Sequence, residues 1–76
     1  MPFRDQMTPH ALRRASQRKI PLDVIEEVFL HPDDDREATD PTNVVRSKRL
    51  PDGRIIEVVV ADDAYTIVSV WDKSGE

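Results

Sequence analysis

Residues 8–20, TPHALRRASQRKI, decide how the chain is read. Thr8 carries a side-chain oxygen suited to capping a helix start. Pro9 fits the first helical position, where its missing N–H is no loss. A helix over 9–18 sets His10, Arg14 and Arg18 at i, i+4 and i+8, all along one side. Ala11, Leu12 and Ala15 fall on the other side, toward a core. The helix ends at 19–21, because a residue before proline is pushed away from the helical region. Leu22, Ile25, Val28 and Phe29 then recur at helical spacing, so a second helix is expected over 22–30. Asp23, Glu26 and Glu27 lie toward its N-terminal end, where the helix dipole favours negative charge. His31 and Pro32 close it. Two short helices joined by about three residues make a helical hairpin.

The next stretch, 31–43, reads HPDDDREATDPTN and has no apolar periodicity, so an acidic, solvated loop is expected. Its alternating acids fail as a calcium loop, since Ala38 stands where Gly is required and Val44 where the closing Glu belongs. Three strands are expected after it, over 44–50, 54–61 and 65–71. Pro51-Asp52-Gly53 suits a tight hairpin, with Gly in the left-handed position. The run with Ile55, Ile56, Val58, Val59 and Val60 is the most β-rich and belongs at the centre. Both turns are too short for a crossover, which leaves an antiparallel meander. The expected class is α+β, a helical hairpin followed by a three-stranded antiparallel sheet. If Leu50 pairs with Arg54 and Ala61 with Ala64, one face carries Ile56, Val58, Val60, Tyr65, Ile67 and Trp71, with Arg46 and Lys48. The other carries Val45, Ile55, Val59, Val68 and Val70, with Ser47, Arg49 and Glu57. A slip of one residue exchanges the sets, so which face packs on the helices stays open.

Seventy-six residues are expected to form a single domain over 1–76, with the hairpin at 8–30, the loop at 31–43 and the sheet at 44–72. A chain of this size buries only about 60% of the surface its unfolded form exposes. It has no cysteine, hence no disulfide staple and no thiolate zinc site. The sequence has no basic–apolar leader and no long apolar run, so no membrane association and a cytoplasmic location are expected. The net charge of −4 hides a segregation. Residues 1–20 hold five bases against Asp5, and 21–40 hold eight acids against Arg36. Overall acidity disfavours non-specific binding to nucleic acid, although a local basic face can still bind.

The pattern His10-x-x-x-Arg14-x-x-x-Arg18-x-Ile20, then a short acidic helix ending at a proline, then three strands, resembles the domain of unknown function number 4258. That family is similar to the RelE-like and BrnT-like toxins of bacterial toxin–antitoxin pairs, grouped with the barnase/colicin/RelE type of ribonuclease fold. The resemblance covers residues 8–71. The family usually has Gly where this chain has Lys19 and favours Ser where it has Pro21; both positions fall in the inter-helix turn. The resemblance implies a RelE/barnase-like fold, metal-independent RNA cleavage, no cofactor and an antitoxin partner.

RNA cleavage of that type needs a base for the ribose 2′-OH, an acid for the leaving oxygen and cations for the charge growing on phosphorus. Histidine is the one side chain that titrates near neutrality unaided, and helix starts hold phosphate on free N–H groups. His10 is therefore the candidate general acid–base and Arg14 the candidate phosphate clamp, with the planar grip phosphate favours. His10 and Arg18 lie about 12 Å apart along a helix axis, so Arg18 is assigned to a neighbouring phosphate. Arg46, Lys48, Arg49 and Arg54 form a second basic cluster able to line an RNA groove, and Tyr65 and Trp71 are able to stack on a base.

Plainer roles fit the same residues. His10 suits a solvated first turn, and Arg14 and Arg18 can pair with Asp23, Glu26 or Glu27. Strand cations can guard a sheet edge, and Trp71 can fill a core. No phosphate-binding glycine loop, nucleophile elbow, zinc spacing or repeat is present. Two function classes therefore stand: a ribonuclease toxin acting on RNA, and a non-catalytic interaction module that docks a protein partner or a second copy as a homodimer.

Overall fold

The structure, a computed structural model, describes residues 3–38 and 42–73. A turn of 3-10 helix over Phe3–Gln6 leads into α1 (Pro9–Gln17) and α2 (Leu22–Leu30). Four strands follow: β1 (Asp34–Glu37), β2 (Val44–Arg49), β3 (Ile55–Val60) and β4 (Ile67–Asp72).

The start of α1 is fixed from two directions. The Ala11 N–H donates to Thr8 Oγ1 at 3.1 Å, closing the cap expected of that residue. The Thr8 N–H donates to the Ile67 carbonyl and its hydroxyl to the Val68 carbonyl, which ties the helix to β4. At the other end Lys19 takes φ of 56°, and the Ile20 N–H returns to the Ala15 carbonyl at 2.8 Å. This is the left-handed helix stop that glycine usually fills. It turns the chain through Pro21 into α2, with no side-chain cap.

The sheet is antiparallel, in the order β1-β2-β3-β4. It has four strands where three were expected. The additional one, β1, lies inside the segment expected to be an acidic loop, of which residues 39–41 fall outside the described residues. All four of its side chains are exposed, so no apolar alternation marks it. Pairing creates it: Asp34, Arg36 and Glu37 stand opposite Ser47, Val45 and Val44 of β2. The β2–β3 hairpin closes as expected, with the Leu50 N–H on the Arg54 carbonyl and Gly53 at φ of 94°.

One sheet face meets the helices. Ile56, Val58, Val60, Ile67 and Val70 are buried there against Ala11, Ala15, Ile25, Val28 and Phe29. Phe3 joins this core, its ring 5.9 Å from that of Phe29. Val70 was expected on the opposite face and Trp71 on this one. A bulge corrects both. Val59 pairs with Ser69 but Val60 with Ile67, leaving Val68 as an extra residue in β4. The alternation beyond it is reversed, so Val70 points to the core and Trp71 away. Ala61 does not pair with Ala64 as expected: its N–H donates to the Thr66 carbonyl, so Tyr65, expected to share a face with Ile56, Val58 and Val60, is exposed in the longer turn before β4.

Candidate functional site

The face turned away from the helices carries a groove of about 430 Å³. Its floor follows from the register. Arg36, Val45, Val59 and Ser69 stand in one row across the four strands, and Asp34, Ser47, Glu57 and Trp71 in the next. Val68, placed by the bulge, adds to one wall, and Glu37, Ala38 and Asn43 to the end near β1. His10 lines the groove from α1, and the Thr8 hydrogen bonds to β4 bring it there.

Beneath the groove lies a buried charge. Glu57 is 2% exposed in the central strand. Arg36 Nη1 donates to its Oε2 at 2.7 Å, reaching across β2, and Trp71 Nε1 donates to its Oε1. The Arg36 hydrogen bond holds the Glu57 carboxyl below the usual carboxylate range, the Trp71 hydrogen bond adds to this, and burial opposes both. The same pair raises the Arg36 guanidinium above its ordinary value. Glu57 is thus a carboxylate whose two oxygens are occupied by two side chains that line the groove, Arg36 and Trp71.

Of the expected site residues, His10 lines the groove. Arg14 stands one turn further along α1, half-buried and outside the groove lining, and Arg18 is exposed beyond the helix end. Among the described residues neither forms an ion pair with Asp23, Glu26 or Glu27; Glu27 instead faces Lys48 Nζ at 3.4 Å. The strand cations do not gather beside His10. Arg46 and Lys48 lie on the helix side of the sheet and finish α2. Arg46 Nη1 donates to the Phe29 carbonyl at 2.7 Å with its guanidinium 4.9 Å above the Phe29 ring, and Lys48 Nζ donates to the His31 carbonyl. Asp35 stands 3.6 Å from Arg46 Nε, which has no hydrogen-bond partner among the described residues. Arg54 closes a local turn onto Asp52 at 3.0 Å, and the Arg49 side chain is exposed.

Arg36, Asn43 and Ser69 in the groove lining, and Glu57 beneath it, were not among the site residues expected from the sequence. A glutamate at the centre of the most β-rich run was the available signal, since a charge buried there needs a cation, and Arg36 is the one base in the acidic segment. Among the described residues no three His, Cys, Asp or Glu side chains converge to hold a metal ion. No helix among them is long and apolar enough to cross a membrane.

The family model described as Domain of unknown function (DUF4258) matches residues 7–72, nearly the span that the spaced His10, Arg14, Arg18 and Ile20 pattern had marked. No curated protein and no solved structure matches the chain significantly.

Proposed function

The chain belongs to the DUF4258 family, and we propose that it is a RelE-like ribonuclease toxin that cleaves RNA without a metal and is neutralised by a protein antitoxin. One observation carries this reading: a histidine in the first turn of α1 opens onto a groove of about 430 Å³ on the free face of the sheet. A family without an assigned activity lends no chemistry by itself, so the side chains must supply it. The helical hairpin followed by an antiparallel sheet is the arrangement we assign to the RelE/barnase type.

In this reaction His10 takes the proton from a ribose 2′-OH as the 2′ oxygen attacks phosphorus. The His10 imidazolium then gives that proton to the departing 5′ oxygen as the P–O5′ bond breaks, and a 2′,3′-cyclic phosphate remains on the upstream piece. Arg14, one turn from His10 and without a carboxylate partner among the described residues, steadies the charge growing on the phosphate oxygens. Arg18 follows the strand outward. Expression of wild type and His10→Ala in bacteria, followed by growth and by mRNA integrity, tests the assignment. Arrested growth with cut mRNA in the wild type alone supports it; equal harmlessness of the two removes it.

A second reading has its own observation. Strand β1 is a sheet edge whose four side chains are all exposed, and such an edge can accept a strand from another chain. On that reading the chain is a non-catalytic interaction module, with a second copy as one partner.

A further inference from the structure

We infer that the groove receives the base of a nucleotide rather than its phosphate, and that Glu57 is the residue that decides this. The inference rests on the ribonuclease reading and assigns how the RNA lies in that site.

Arg36 is the one arginine or lysine lining the groove among the described residues, and its charge is already spent. Its guanidinium is held 2.7 Å from Glu57, whose side chain is 3% exposed while that of Arg36 is 46% exposed. Glu57 cannot swing out to solvent, so the opposing charge is permanently in place. Glu37 adds a further carboxylate to the lining. With His10 set aside, the groove is neutral to acidic, which repels a phosphate. What remains suits a flat, uncharged ring. Val45, Val59 and Val68 give apolar walls, and Trp71 gives an indole on which a base can stack. The Trp71 N–H is tied to Glu57, so the ring cannot turn freely. Asn43 and Ser69 offer an amide and a hydroxyl to the edge of the ring.

Phosphates then belong outside, along α1. Arg13, Arg14 and Arg18 lie there without ion-pair partners among the described residues. Glu57 acts through its neighbours: it cancels Arg36 and fixes the plane of Trp71.

Trp71 is the single tryptophan of the chain, so its emission reports on the groove alone. The wild-type protein is titrated with adenosine, with adenosine 5′-monophosphate, and with a hexanucleotide made uncleavable by 2′-O-methylation. Adenosine and its monophosphate are expected to quench Trp71 with affinities within about threefold of each other. The hexanucleotide is expected to bind at least about tenfold tighter, with a salt dependence that Arg14→Gln reduces, which separates a strand from a free nucleoside. In Glu57→Gln, which keeps an acceptor for the indole but frees the Arg36 charge, preference for the monophosphate rises by more than about threefold. A wild type that prefers the monophosphate by more than that margin, a Glu57→Gln ratio equal to wild type, or no response to adenosine overturns the inference. The wild-type comparison needs no variant, so it decides even if Glu57→Gln misfolds. RNA cut by a protein whose Trp71 ignores adenosine sinks this inference and leaves the ribonuclease reading standing.

Discussion

Replacing Arg36 with Leu leaves the Glu57 carboxylate in the sheet with Trp71 as its remaining partner. A hydrogen bond between charged groups contributes about 1.5–3 kcal/mol, and removing one side of a fully buried pair costs about 3–5 kcal/mol. The Arg36 side chain is 46% exposed, which places this case toward the lower end, about 2 kcal/mol. A domain of 76 residues has about 4–11 kcal/mol of stability in all, so the loss is a large share. Each kcal/mol moves the midpoint of such a domain by about 4–8 °C, so Arg36→Leu should lower Tm by about 8–16 °C. Thermal unfolding followed by circular dichroism at neutral pH measures it. The double variant Arg36→Leu/Glu57→Leu removes the stranded charge and should recover most of the loss, short of about 1 kcal/mol for the Trp71 N–H left unpaired. A single variant within about 0.5 kcal/mol of wild type, or a double variant no better than the single, would refute the buried charge as the organiser of this face.

Acid should act on the same group. The folded-state value of Glu57 lies below its ordinary 4.5, so its contribution is full above that pH and is lost as pH falls through the folded value. Tm should therefore decline below about pH 4.5, and Arg36→Leu should flatten the decline. Lys19→Gly relieves a left-handed backbone at φ of 56° and should stabilise the protein by about 1 kcal/mol in urea unfolding; a loss would contradict the strain. Thr8→Val removes both the helix cap and the hydroxyl bond to Val68 and should cost about 1–2 kcal/mol, whereas Thr8→Ser should keep most of it. Arg46→Met keeps an apolar stem over Phe29 but frees the Phe29 carbonyl, for a loss of about 1–2 kcal/mol in the same assay.

The helical hairpin was legible because its signals are local. Thr8-Pro9, the apolar spacing of 22–30 and the Pro21 break each act within a turn or two of chain, and α2 runs over Leu22–Leu30 as read. The hairpin turn at 51–53 was local too, whereas the second loop runs over 62–65, with the Ala61 N–H on the Thr66 carbonyl rather than Ala64 opposite Ala61. Strand β1 was not legible, because Asp34-Asp35-Arg36-Glu37 has neither β-propensity nor an apolar face and exists through its pairing with β2. Its Arg36 reaches a glutamate 21 residues away, a contact no window along the sequence contains. Trp71 was misplaced for a different reason: alternation is a safe guide only until a bulge, and nothing in Ile67-Val68-Ser69 announces one. The site divides the same way. His10 was found from its place in a helix start, while the partners lining its groove come from β1 and the far side of the bulge. Arg46 and Lys48 looked free in the sequence because the carbonyls they cap, of Phe29 and His31, lie at the C-terminal end of α2, 17 residues away.

Purified wild type and His10→Ala, each incubated with an end-labelled single-stranded RNA and chelator, test the central claim most directly. The wild type should release fragments ending in 2′,3′-cyclic phosphate, and His10→Ala, with unchanged Tm, should be slower by about 10²–10⁴-fold. Intact RNA with the wild type, or equal cutting by both proteins, would contradict it.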